Sequence, residues 1–144
     1  RDPWLRRTRS PVVNLVLDTS AVMAIVLGEP TALRLAERLA ACDEAIISAV
    51  TLVETTIVAE ARLGPAGTVL VQSVLREANV HTVDVTHATA LDAVEGWRSY
   101  GKGRHRASLN LGDCFTYALA RRRRIPILCV GDDFVHTDAT VEPL

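Results

Sequence analysis

The sequence predicts a single three-layer α/β domain, with a central parallel sheet of four or five strands flanked by helices. Two observations predict it. Short apolar runs of strand length alternate with longer segments of helical periodicity, the pattern of repeated βαβ units. Four acids also fall where strands hand over to the next element or on the first half of a helix: Asp18, Glu54, Asp113 and one of the pair Asp132–Asp133. In a parallel sheet the carboxyl ends of the strands share one edge, where ligands bind, so acids far apart in sequence converge there.

The first strand is the apolar run Val12–Leu17, ended by Asp18. A helix follows over Ser20–Leu27, with Thr19 or Ser20 as its N-cap, and Gly28-Glu29-Pro30 stops it. Thr31 caps a second helix to about Ala41, on which Leu33, Leu35, Ala36 and Leu39 supply an apolar face. Ala45-Ile46-Ile47 forms the next strand, within Glu44–Ser48. The third helix, from about Ala49 to Leu63, carries Glu54 one turn in and ends at Gly64-Pro65. A fourth helix over Ala66–Ala78, a strand at Val80–Val83 and a fifth helix over Thr86–Tyr100 come next. The glycine- and base-rich loop Gly101–Ala107 leads to a sixth helix, Gly112–Arg123, with Asp113 at its head. Ile127–Val130 is the fourth strand, and a short fifth is expected near Thr140–Val141.

The domain is expected to span residues 12–144. Residues 1–11 carry four arginines and two prolines without periodicity and read as a flexible leader, or as residues foreign to the domain. Hydrophobic residues make up 49% of the chain and aromatics only 4%, so the core must be built from Ala, Val, Leu and Ile. The net charge of −1 excludes a uniformly basic coat for nucleic acid, though not a local basic patch. No stretch has the length and apolar purity of a membrane span, and no signal-peptide hydrophobic region follows the arginines. Cys42, Cys114 and Cys129 lack metal-like spacing and read as buried reduced thiols. A cytoplasmic location follows as the expectation.

Clustered carboxylates raise one another's pKa unless a cation neutralises them. A set of oxygen ligands suits Mg²⁺, with Mn²⁺ as the alternative, and such ions serve phosphoester chemistry. The rival explanation is that each acid caps a helix: Asp18 and Asp113 both stand where a carboxylate favours a helix N-terminus. Capping does not account for Glu54.

At this point the residues become recognisable. Leu15-Val16-Leu17-Asp18-Thr19-Ser20-Ala21 resembles the opening motif of PIN-domain proteins, and Glu54-Thr55-Thr56 with Ala59-Glu60-Ala61-Arg62 resembles their second motif. The run from Asn110 to Ala120, and Gly131-Asp132-Asp133-Phe134 with Thr137-Asp138, resemble the third and fourth. The four motifs, in order and from about Val13 to the C-terminus, are similar to those of the VapC-type toxins of bacterial VapBC toxin–antitoxin pairs. The resemblance implies a Mg²⁺-dependent endoribonuclease, held inactive by a cognate antitoxin and working as a homodimer. It implies Asp18, Glu54, Asp113 and Asp133 as the catalytic acids, with Asp132 the alternative for the fourth. Asp18 and Asp113 would be metal ligands, Glu54 would orient water or carry a second ion, and Asp133 would complete the shell.

Lys102, Arg104 and Arg106 crowd the loop before Asp113 and are the candidate RNA contacts, with Tyr100 beside them as a possible stacking ring. Arg121–Arg124 reads as a solvated helix end whose cations favour the macrodipole. Trp4 and Trp97 read as packing or interface residues. An apolar face of the early helices, with Val22, Ile25 and Val26, is the expected dimer contact. Two other classes compete: a non-catalytic RNA- or partner-binding module, and an aspartate-dependent phosphatase. The second is weakened because Ser20 stands where such enzymes place a second acid.

Overall fold

The computed structural model describes residues 11–144. The expected leader, up to Ser10, and Trp4 with it, lies outside the described residues. The elements follow in the order β1 (Asn14–Leu17), α1 (Thr19–Val26), α2 (Ala32–Ala41), β2 (Glu44–Ser48), α3 (Ala49–Leu63), α4 (Pro65–Glu77), β3 (Val80–Val83), α5 (His87–Tyr100), α6 (Leu111–Arg123) and β4 (Ile127–Leu128). The four strands pair in parallel in the order β3-β2-β1-β4.

Alternation along the strands divides the core in two. Leu15, Leu17, Ala45 and Ile47 face one side, where Val22 of α1, Leu35 and Leu39 of α2, and Val71 and Leu75 of α4 cover them. Val16, Ile46 and Ile127 face the other, under Ala93 of α5 and Cys114 and Ala118 of α6. This alternation is the period of two that a strand imposes, and it gives the three layers. The helix α3 straddles the layers: Ala59 packs into the first cluster, while Thr51 meets Thr116 of α6 at 2.9 Å. It ends at Gly64, whose φ of +66° suits a residue without a Cβ, and Pro65 opens α4.

Three expectations are corrected. The strand near Thr140–Val141 is only an isolated parallel bridge from Val141 to Ile127, so the sheet has four strands. The cap of α1 is Asp18 rather than Thr19 or Ser20, since its carboxylate accepts from the Ser20 backbone N–H. Val22 is fully buried in the chain's own core and is not presented to a second copy, while Ile25 and Val26 pack half-buried against that core. Accordingly, Val22→Glu should leave the protein unfolded, because burying an unpaired carboxylate costs more than a small domain can spare. Circular dichroism of the purified variant checks this; a folded monomer would point back to an interface role.

Cys114 and Cys129 are buried, whereas Cys42 is only half-buried. Burial pushes the Cys114 thiol up to about 11 and the Cys129 thiol up to about 12, which leaves both protonated and unreactive near neutral pH. Among the described residues no helix is long and apolar enough to cross a membrane.

Candidate active site

The strand order turns at β1: the chain steps outward from β1 to β2 and β3, then returns to place β4 on the other side of β1. The crevice at such a switch point is the default ligand site of an open parallel sheet. Asp18 leaves β1 there and Asp133 follows β4, so the topology alone brings residues from the two ends of the domain together.

Each acid is held differently. Asp18, only 4% exposed, accepts from the Ser20 N–H at 3.1 Å and the Ser20 hydroxyl at 2.7 Å. That hydroxyl in turn accepts from the Val130 N–H at 2.9 Å, which ties the Asp18 turn to the end of β4. Asp113 forms a reciprocal cap with Asn110: its N–H donates to the Asn110 side chain at 2.8 Å and its carboxylate accepts from the Asn110 N–H at 3.0 Å. Glu54 accepts from the Thr19 hydroxyl at 2.6 Å, and Thr19 also meets Thr55 at 2.9 Å. Gly112 lets α6 approach so closely that a Cβ there would overlap the Glu54 carboxylate. Asp133 is exposed and precedes a short 3₁₀ turn, Phe134–His136, anchored by the buried Phe134 ring.

Asp18, Glu54, Asp113 and Asp133 all line one open cleft of about 380 Å³. Burial pushes the Asp113 carboxyl up to about 7; Asp18 adds to the rise, the Asn110 backbone opposes it, and Glu54 and Asp133 contribute further. Burial raises Asp18 as well, against its Ser20 hydrogen bonds and with Glu54 adding repulsion. Both caps predicted by the rival reading are therefore present. They explain how the carboxylates are oriented, but not why four of them share a cleft at such electrostatic cost.

That donor set fits a hard divalent cation. Among the described residues no three His, Cys, Asp or Glu side chains are already close enough to hold an ion between them. One or two carboxylates with water completing the shell is the usual arrangement for Mg²⁺, which dehydrates reluctantly. Asp18 and Asp113 are the buried pair suited to that role.

The region matching the PIN domain family model is residues 15–139, nearly the whole described chain. It contains all four acids. This chain is a PIN-domain protein. Ribonuclease VapC30 of Mycobacterium tuberculosis is 45% identical over 129 residues, covering 88% of this chain and 98% of that relative, and on that likeness the chain belongs to the VapC ribonuclease family. The M. tuberculosis toxin VapC20, described as cleaving the sarcin-ricin loop, superposes with a TM-score of 0.71 at 20% identity, over 90% of this chain and 99% of that one. VapBC2 of Rickettsia felis, solved bound to a DNA fragment from its promoter, gives a TM-score of 0.70 at 14% identity, over 90% and 98% of the two chains. These two structural likenesses show the PIN fold.

Within this PIN domain the basic loop stands outside the acidic cleft. Its stem is pinned by the Lys102 N–H donating to the Leu109 carbonyl at 2.9 Å, one residue before Asn110. Lys102 lines a neighbouring apolar hollow that shares Asn110 with the cleft. Arg104 lies over the Trp97 ring at 4.5 Å and donates to the Arg98 carbonyl at 3.2 Å, while Arg106 is exposed. Tyr100 is not an open stacking face: its ring packs edge-on against His105 at 5.1 Å and Tyr117 at 5.5 Å. At the far end of α6, Arg121 pairs with Asp138, and Arg122 with Asp92 at 2.7 Å.

Sequence reasoning missed several contributors. Thr19, read only as a candidate helix cap, and Asn110, given no role, lay inside the quoted motifs and hold Glu54 and Asp113. Glu29 and Arg62 also line the cleft. The signals for Arg62 were its place in the quoted second motif and its helical phase, four and eight residues beyond Val58 and Glu54 respectively.

Proposed function

We propose that this chain is the toxin of a type II toxin–antitoxin pair, a Mg²⁺-dependent endoribonuclease that hydrolyses RNA phosphodiester bonds, with Mn²⁺ able to replace Mg²⁺. The observation that carries the reading is the Asp113 carboxyl, buried and pushed up to about 7 among three further acids in one open cleft. Such a cluster is costly until a cation enters it. A bound divalent ion supplies Lewis acidity and an acidified water for attack on phosphorus. Asp18 and Asp113, fixed by Ser20 and Asn110, would hold the ion. Glu54, steadied by Thr19, would orient a water, and Asp133, which lines the cleft where Asp132 does not, would be the fourth acid of the set.

Lys102, Arg104 and Arg106 meet the RNA backbone beside the cleft, through a loop tethered next to Asn110. A cognate antitoxin silences the cleft by inserting an arginine or other cation, since guanidinium matches carboxylates bidentately. A second copy is expected on an exposed apolar face that does not involve Val22; Val53 and Ile57 on α3 and Leu111 heading α6 are exposed and apolar. The site of action is the cytoplasm, where the substrate RNA lies. The phosphatase alternative is disfavoured because Ser20 is committed to holding Asp18 and β4 together.

The test is to map RNA ends in cells after brief induction of this chain and of its Asp113→Asn variant. New ends at defined positions should appear only with the unaltered chain. Identical end profiles in the two cultures would sink the ribonuclease reading and leave a binding module.

A further inference from the structure

One cation lines the cleft that holds the acids. Arg62 sits in the last turn of α3 on the line Glu54, Val58, Arg62, at intervals of four residues, and all three side chains line the same cleft. The rise of an α-helix places it about 12 Å beyond Glu54 along the helix axis. It is exposed and forms no ion pair with any acid among the described residues, in contrast to Arg38, Arg98, Arg121 and Arg122.

A base in the last turn of a helix has an ordinary explanation, the favourable interaction with the macrodipole. That accounts for a base somewhere in the turn, but not for its phase. Ala61 and Leu63 flank it off the Glu54–Val58 line, and position 62 alone of the three enters the cleft. A backbone set two turns from Glu54, with a long side chain entering the same cleft, suits a grip on a phosphate next to the reacting one. The loop bearing Lys102 borders the cleft beside Asn110, at the head of α6, whereas Arg62 enters it from the last turn of α3.

We infer that Arg62 is a substrate-positioning residue that grips a backbone phosphate of the RNA strand away from the scissile bond, so that the strand crosses the acids between the Lys102 loop and Arg62. This rests on the ribonuclease reading and adds the direction of the strand to it. Guanidinium binds a phosphate through two parallel N–H donors, which fixes position as well as charge.

The test uses the full chain carrying Arg62→Ala, Arg62→Lys or no change. Binding of a labelled single-stranded RNA is followed by anisotropy across a salt series, on an Asp113→Asn background so that the RNA survives. Mn²⁺ affinity and cleavage kinetics are measured with Asp113 intact. Arg62→Ala should weaken RNA binding roughly tenfold, the loss of one charge-assisted contact, and reduce the log–log salt slope by about 0.7. KM should rise with kcat little changed, and Mn²⁺ affinity should stay within about twofold on the same account, since the contact is to RNA rather than metal. Arg62→Lys should keep the slope while losing part of the affinity. An unchanged slope in Arg62→Ala overturns the inference. So does a rise in Mn²⁺ affinity without any RNA defect, which would make Arg62 a counter-ion to the acids. A parent chain that neither binds nor cuts RNA overturns the ribonuclease reading and this inference with it, whereas a parent that cuts RNA with an indifferent Arg62 overturns the inference alone.

Discussion

Asp113→Asn should abolish cleavage and at the same time make the metal-free protein more stable above neutral pH. The native carboxyl titrates near 7, far above its ordinary value of 3.8. Below about pH 4 both folded and unfolded chains keep the proton, so the group contributes nothing. As pH rises from there, the unfolded chain loses its proton first, and stability falls until the folded carboxyl also ionises near 7. Above that point the penalty is constant, on the order of a few kcal/mol. Asparagine cannot ionise, so the variant should lack most of this fall. Thermal midpoints measured between pH 4 and 8 in EDTA check it: parallel curves for the two proteins would mean that the acids do not repel as argued. Added Mg²⁺ should restore stability to the native chain at pH 8 and do little for the variant. Cleavage that persists in excess EDTA would rule out the metal-dependent mechanism.

Gly112→Ala is expected to be nearly as damaging to activity while sparing the fold. The added methyl would occupy the space of the Glu54 carboxylate, which is the movable end of a flexible side chain. The protein can therefore accommodate it by swinging Glu54 away from Thr19, and alanine is in addition the better helix former. The cost falls on geometry, where a displacement of about 1 Å is enough to lose roughly 100-fold in rate. Cleavage should drop by about that factor with a thermal midpoint close to the native one. A double-mutant cycle separates the cause: Gly112→Ala added to Glu54→Ala should cost almost nothing further. Additive losses would show that Gly112 serves the site by some route other than Glu54.

The sequence made the sheet and the acids legible for physical reasons. Strand runs such as Ala45-Ile46-Ile47 are short, apolar and flanked by polar residues, and Asp113 stands at a helix start that Gly112 announces. What failed to show was orientation. The helix α1 is apolar almost all round, and a helix of that kind is buried, so no exposed face was there to be read. Val22 was assigned to an interface because the inner and outer sides were indistinguishable in the sequence. Arg62 and Glu29 were hidden for another reason. Their convergence depends on how the C-terminal ends of α1 and α3 pack, and no local pattern encodes that. The basic loop illustrates a third limit: Lys102 and Asn110 line one hollow, and nothing local in the sequence shows that Arg104 stacks over Trp97.

The adjacency of β1 and β4 also bears on when the protein becomes dangerous to its maker. The Asp18 N–H donates to the Leu128 carbonyl at 3.1 Å, and Ser20 holds the Val130 N–H. The first acid is thus clasped by a strand made more than a hundred residues later, and Asp133 lies beyond that strand. The acidic cleft is therefore complete only once the C-terminal segment of the chain has been made, and the last strand to be synthesised is the one that closes it.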